Sequence, residues 1–169
     1  MFVLAETESN KMVQNVIIQK IGNDFLVINP AYPPAKENIA DLPYDLPYSR
    51  LPHPKYLKRG VVPAYDMLKH SVNSHRGCFG CCSFCSITSH HGKFVSSRSE
   101  KSILNEVKII ANSAGFKGTI TDVGGPSANM YKMSGKNSDM CKTCKRPSCI
   151  YPNICKNLNY NHKPLLDLY

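Results

Sequence analysis

Residues 75–91 read HRGCFGCCSFCSITSHH, and four cysteines fall within eight positions: Cys78, Cys81, Cys82 and Cys85. Thiols packed this densely belong either to a disulfide framework or to a metal site. The opening MFVLAETESNK has a four-residue apolar run followed by Glu6 and Glu8. A secretory signal needs a basic start and a longer apolar stretch. No window approaches the ~20 apolar residues of a membrane span. The expected location is the cytoplasm, off the membrane, where thiols stay reduced and disulfides are rare. All eight cysteines lie at 78–85 and 141–155, with none before residue 78. Clustered reduced thiols point to metal.

The first group can be divided in two ways. Cys78/Cys81 and Cys82/Cys85 make two adjoining C-x2-C knuckles, the pattern of zinc. Cys78, Cys82 and Cys85 make one C-x3-C-x2-C triplet, with Cys81 left over. Iron–sulfur clusters are held by thiolates, and four irons normally take four. A triplet therefore leaves one iron open. Gly80 permits a sharp turn in such a loop, and Phe84 beside Cys85 is expected to shield a cluster from water.

The net charge is +9. Residues 1–60 hold seven Lys/Arg against six acids, and the cysteine-bearing remainder holds fourteen against six. A basic surface of this kind admits a nucleic-acid partner. Metallated thiolates would lower the charge to about +6, so part of the basic excess offsets the sites themselves. A zinc-stabilised basic module contacting nucleic acid is thus the competing functional class.

Local patterns place the motifs. Residues 2–13 suit the end of a helix. NVIIQKIGNDFLVINP reads as a hairpin around Gly22-Asn23-Asp24. Residues 30–56 carry seven prolines and read as an extended connector lying over a surface. MLKHSVNS (67–74) fits a strand leading into the cysteine loop. A helix is expected over SRSEKSILNEVKIIANSAG, capped by Ser97 or Ser99, with Ile103, Val107, Ile110 and Ala114 on one face and Gly115 at its end. GTITDVGG (118–125) reads as a strand, and GPSANMYKM as a helix opening with Pro126 in its first turn. This βαβα order argues for an α/β chain with a parallel sheet or barrel.

At this point the chain resembles a known family. C-x3-C-x-aromatic-C after a first strand is the radical SAM signature. HSVNSHRGCFGCCSFCSITSHHGKFVSSRSEKSI, TDVGGPSANMYKM and CKRPSCIYPNICKNLNYNHKPLLDLY, together with VPAYDMLKHS and the proline-rich segment, resemble the YgiQ-type radical SAM proteins over nearly the whole length. The resemblance implies a 4Fe-4S cluster on Cys78, Cys82 and Cys85. It also implies S-adenosyl-L-methionine chelated at the open iron and cleaved reductively to a 5′-deoxyadenosyl radical, with an electron donor such as flavodoxin or ferredoxin. The family pattern has glycine (CFGGC) where this chain has Cys81. Gly124 and Gly125 stand where the family carries its glycine-rich cofactor motif, although Pro126 replaces the acid found third in many members. The implied fold is the first strand–helix units of a partial (βα) barrel, incomplete, preceded by the hairpin and connector. On this reading residues 1–60 end a preceding region, and 61–169 form a truncated core.

CKTCKRPSCIYPNIC spaces Cys141, Cys144, Cys149 and Cys155 as C-x2-C-x4-C-x5-C. Four thiolates can close a structural zinc site or hold a second cluster. Zinc in an insertion at 141–155, separable from the first site, is the expectation. His75, His90 and His91 flank the first loop, where second-shell roles are commoner than ligation. Tyr65, Asp66 and Arg98 lie in family-like stretches without an evident role. Only 92 residues run from Cys78 to Tyr169. A βαβ unit needs ~30 residues and a full barrel about 250. A piece of a longer protein, inactive alone, is therefore expected, and its substrate is not legible.

Overall fold

The computed structural model describes residues 12, 15–30, 32–56, 58–125 and 128–169. Of the helix expected at 2–13 only Met12 is described, in a turn, and the first turn expected at Pro126 falls outside the described residues. The chain forms β1 (Ile17–Ile21) and β2 (Asp24–Ile28), then α1 (Glu37–Asp41) and α2 (Pro63–Leu68). Next come β3 (Ser71–Asn73), β4 (His75–Arg76), α3 (Ile87–His91), β5 (Ser96–Ser97) and α4 (Glu100–Ala111). The last elements are β6 (Asp122–Gly124), β7 (Ser134–Gly135), α5 (Ser138–Lys142), β8 (Leu158–Asn159) and α6 (Lys163–Leu168).

Strands β1 and β2 pair antiparallel, with Ile21 opposite Asp24 across the Gly22-Asn23 turn. Strands β3 and β6 pair in parallel, with Val72 opposite Val123 and Asn73 opposite Gly124. That pair is the expected strand–loop–helix–strand unit. Among the described residues every sheet is two-stranded, so the architecture is mixed α/β with short elements, and no barrel or partial barrel is formed.

Helix α4 follows its sequence closely. The Ser99 hydroxyl accepts from Ser102 N at 3.1 Å and caps the first turn. Ile103 and Ile110 are buried, and Val107 packs beside them, as an i, i+4, i+7 stripe requires. Ala114 lies beyond the helix and is exposed; Phe116 takes its expected place against the core.

Three expectations are corrected. The strand at 67–74 shortens to Ser71–Asn73 because Pro63, at a first helical position, starts α2 and carries it through Leu68. No helix forms over Ala128–Met133. Lys132 takes a left-handed φ of 56°, Tyr131 enters one core, and Met130 and Met133 enter another. The left-handed Lys132 cannot continue a right-handed helix, and the chain turns there instead.

The third correction concerns the proline-rich segment, which is docked and partly folded. Besides α1 it holds two 3₁₀ turns, Leu42–Tyr44 and Pro54–Tyr56. Asp41 Oδ1 accepts from Ser99 N at 2.9 Å, and Ala35 O accepts from Ser96 Oγ at 2.6 Å. The Tyr44 ring covers the Arg98 guanidinium at 3.5 Å. Tyr65 closes the arrangement by donating to Arg50 O at 3.0 Å.

Two cores result. The first joins Val72, Ile103, Ile110, Tyr131 and Leu165. The second joins Cys78, Phe79, Met130, Met133 and Leu158, with Cys149 and Cys155 packed against it.

Candidate metal centre

The first cysteine loop leaves β4 and runs to α3. Cys78 N donates to Gly92 O at 3.0 Å, and Thr88 Oγ1 donates to Cys78 O at 2.9 Å. The same hydroxyl accepts from Cys81 N at 3.1 Å. Gly80 N approaches Cys78 Sγ at 3.4 Å. A Cβ placed on Gly80 would stand 3.3 Å from Cys78 Sγ and 3.6 Å from Cys82 Sγ. Two sulfurs of the triplet therefore face one glycine-sided space. Cys78 is buried, Cys82 exposed and Cys85 between, and Cys85 N turns back to Cys82 O at 3.0 Å. Cys81 takes φ 52°, the left-handed region that favours glycine. Phe84, the expected shield, is 90% exposed, and the buried aromatic is Phe79.

The second group is gathered in space. Cys141, Cys149 and Cys155 line a cavity of about 260 Å³ with Phe79, Met133 and Leu158. Lys93, 6% exposed, donates from Nζ to Arg146 O at 2.6 Å and to Cys144 O at 3.2 Å. Its ammonium also lies 3.7 Å from Cys144 Sγ. Asn157 Nδ2 donates to Cys141 Sγ at 3.3 Å. Burial pushes the Cys149 thiol up, opposed by Lys93 and reinforced by Cys155, Cys144 and Cys141. Burial likewise raises Cys141, which the Asn157 contact partly offsets. Lys93 and Asn157 are polar partners that the cysteine spacing did not signal. Both sit in unremarkable local sequence, and only the fold brings them to the thiols.

Among the described residues no three His, Cys, Asp or Glu side chains are arranged to hold a metal ion. A single ion needs its ligands converged on one point, whereas a cluster takes each thiolate on a different iron. The donor chemistry of the triplet, thiol only and backed by Phe79, fits a cluster. The four-thiol group has the donors for either metal form, without the convergence.

The two groups are not separate. Cys149 N donates to Phe79 O at 3.0 Å, and Cys78, Cys149 and Cys155 share the second core. The four-cysteine segment therefore packs against the first loop.

Gly124 ends β6 and Gly125 follows it, at the carboxyl side of the parallel pair, the edge where open α/β sheets bind ligands. Their open sides are nevertheless taken. A Cβ on Gly125 would overlap the His75 imidazole, and one on Gly124 would lie 3.1 Å from Asp122 Oδ1. His75 is 1% exposed, with Nδ1 paired to Ser74 Oγ at 2.9 Å. Burial lowers its pKa, opposed in part by the Ala128 backbone. Asn73 Oδ1, buried at the same strand end, has no hydrogen-bond partner among the described residues. The His90 and His91 rings lie 5.2 Å apart, tilted by 38°. Arg98 is a buried structural hub: it pairs with Glu106 and donates to Asn73 O at 2.8 Å. Asp66 pairs locally with Lys69.

A cysteine loop between a strand and a helix, leading through a longer helix to a parallel partner strand, is the class of arrangement seen here. The family model for the Radical SAM N-terminal region matches residues 1–71, the stretch ending at the start of β3. Close homologues of the chain are the UPF0313 proteins, YgiQ among them. It is 59% identical over 97% of its length to a UPF0313 protein of Bacteroides thetaiotaomicron, and 56% identical over 96% to one of Porphyromonas gingivalis. To the UPF0313 protein YgiQ of Escherichia coli it is 46% identical over 96% of its length. The chain spans about a quarter of these relatives, 26%, 26% and 22% respectively. No solved structure matches it. No helix among the described residues is long and apolar enough to cross a membrane.

Proposed function

We propose that the chain is the cluster-bearing portion of a radical SAM iron–sulfur protein, with Cys78, Cys82 and Cys85 as the ligands of a 4Fe-4S cluster. The observation that carries this is the pair of sulfurs, Cys78 and Cys82, facing one space beside Gly80 on a loop closed by Thr88. The left-handed backbone at Cys81 supports its exclusion from the ligand set: glycine is the residue that conformation favours. When bound, the cluster supplies one electron that cleaves S-adenosyl-L-methionine to methionine and a 5′-deoxyadenosyl radical. Phe79 holds an apolar wall behind Cys78, and Gly80 offers an N–H to its sulfur; both tune such a site. The assignment of S-adenosylmethionine to Gly124 and Gly125 rests on their backbone position alone, since His75 and Asp122 fill the space of the missing side chains.

Cys141, Cys144, Cys149 and Cys155 are proposed as a second metal site, zinc or iron–sulfur, whose thiolate charge Lys93 offsets. Eight cysteines, none of them in a disulfide, call for a reducing compartment, the cytoplasm, and the cluster for an electron donor of the flavodoxin or ferredoxin kind. Anaerobic reconstitution with iron and sulfide tests the reading. About four irons should bind through the triplet, and Cys78→Ala, Cys82→Ala and Cys85→Ala should each abolish them. Iron content should be unchanged or higher in Cys81→Gly. Equal loss from all four substitutions would refute the triplet. Metal analysis of Cys144→Ala decides between zinc and a second cluster.

A further inference from the structure

We infer that Ser148 is a positioning residue for the first cysteine loop, fixing the backbone from which Cys78 is presented; this rests on the reading of that loop as a cluster site. Ser148 is 3% exposed. Its hydroxyl donates to Gly80 O at 2.8 Å, with Phe79 O at 3.3 Å. It accepts from Ile150 N at 3.1 Å and from Tyr151 N at 3.0 Å. One proton and two lone pairs are all that a serine hydroxyl has, so its capacity is fully used. A side chain committed in this way joins the four-cysteine segment to the cluster loop across 68 positions of sequence.

The consequence appears when the loop carbonyls are followed in order. Cys78 O is taken by Thr88 Oγ1, Phe79 O by Cys149 N, and Gly80 O by Ser148 Oγ. Three successive peptides are thus pinned, two of them by the four-cysteine segment. Beyond them Cys82 is exposed and Phe84 is 90% exposed. The loop therefore has a fixed half bearing Cys78 and an open half bearing Cys82 and Cys85. The fixed half also aims Gly80 N at Cys78 Sγ. An N–H directed at a ligating sulfur stabilises the more negative, reduced form of a cluster and raises its potential. That N–H belongs to the peptide whose carbonyl, Phe79 O, accepts from Cys149 N and lies 3.3 Å from Ser148 Oγ, and the next carbonyl, Gly80 O, is the one Ser148 holds at 2.8 Å. Ser148 acts on the sulfur by fixing these two peptides, without touching it.

The test uses the full chain in two states. In the metal-free, reduced protein, timed alkylation with N-ethylmaleimide is followed at each cysteine by peptide mass spectrometry. Cys78 should react slowly and Cys82 fast. In Ser148→Ala, Cys78 should react about tenfold faster, the scale of one buried hydrogen bond lost. Cys82, Cys141 and Cys155 should keep their rates, and Ser148→Thr, which retains the hydroxyl, should restore protection. After iron and sulfide reconstitution, the Ser148→Ala cluster should show an altered electron paramagnetic resonance signature and a more negative midpoint potential. An unchanged Cys78 rate overturns the inference. Equal acceleration at all eight cysteines does so too, because it reports general loosening. So does a Ser148→Thr protein that is folded by circular dichroism but behaves like Ser148→Ala. A wild-type chain that takes up no iron through the triplet would refute the cluster reading itself, and the alkylation pattern would still judge the clamp.

Discussion

Cys81 occupies a conformation that costs a non-glycine residue about 1–2 kcal/mol. Glycine would remove that cost and give back roughly 0.5–1 kcal/mol through the greater freedom of its unfolded chain. Cys81→Gly should therefore raise unfolding stability by about 0.5–1 kcal/mol, read from urea titration of the metal-free protein. At the same scale, Gly125 and His75 constrain each other. Gly125→Ala should destabilise by about 1–3 kcal/mol through overpacking, and His75→Ala in the same chain should recover part of that loss. Additive losses in the double mutant would show that the two do not meet. The His75 pKa is lowered in the folded state, so the unfolded chain binds the proton first as the solution is acidified. Stability is then complete above the ordinary histidine range of about 6.5 and falls as pH drops through the folded value. Melting temperatures between pH 7.5 and 5 should decline less steeply in His75→Gln.

Among elements, α4 is the organiser, and its inner face holds a charge pair that its sequence did not advertise. Glu106 is buried between Arg98 and Arg50. Removing it strands the nearly inaccessible Arg98 guanidinium, and Glu106→Ala should cost about 3–5 kcal/mol. Arg50→Ala, at a more exposed site, should cost about 1 kcal/mol or less. Chemical denaturation of both variants checks the asymmetry. Helix α4 was legible because its stripe and N-cap coincide with local rules, although it stops at Ala111 with Asn112 as its C-cap, short of the glycine expected to end it. The connector was not. Its prolines announce only that it avoids long elements, while its docking depends on Asp41, Tyr44 and Arg50 meeting partners 50 or more positions away. The turn at Met130–Met133 was misread for a related reason, since two cores compete for adjacent side chains and the competition overrides helical propensity. The cysteine groups were visible by spacing. Their mutual contact was not, because Ser148 and Lys93 carry no motif.

At the scale of the whole molecule, the two thiol groups form one assembly around Phe79, and charge is managed within it. Lys93 is sealed against the second group, so Lys93→Met should lower metal retention there by about tenfold, the scale of a lost polar partner next to a ligand. Competition with a chelator, scored by residual metal, measures this. The β1–β2 hairpin contrasts with that assembly: Ile18, Ile21, Phe25 and Val27 are each about half exposed or more.

Tyr131 and its two methionine neighbours carry one last implication. Met130 and Met133 belong to the core beneath the cysteine loop, and Tyr131 belongs to the core beneath α4, where its hydroxyl donates to Arg98 O at 3.1 Å. Burial, with Glu37, Glu100 and Asp41 nearby, pushes the phenol up to about 12. Four residues of backbone thus act as a hinge pin through two bodies: neither can melt without dragging a side chain out of the other. The expected calorimetric trace is a single endotherm whose van't Hoff and measured enthalpies agree. Alkali should weaken that unity as pH climbs from the ordinary tyrosine value toward 12, since the unfolded phenol ionises first. In Tyr131→Phe the alkaline sensitivity should be smaller, the part left by the raised Cys141 and Cys149 thiols remaining, while the single transition persists.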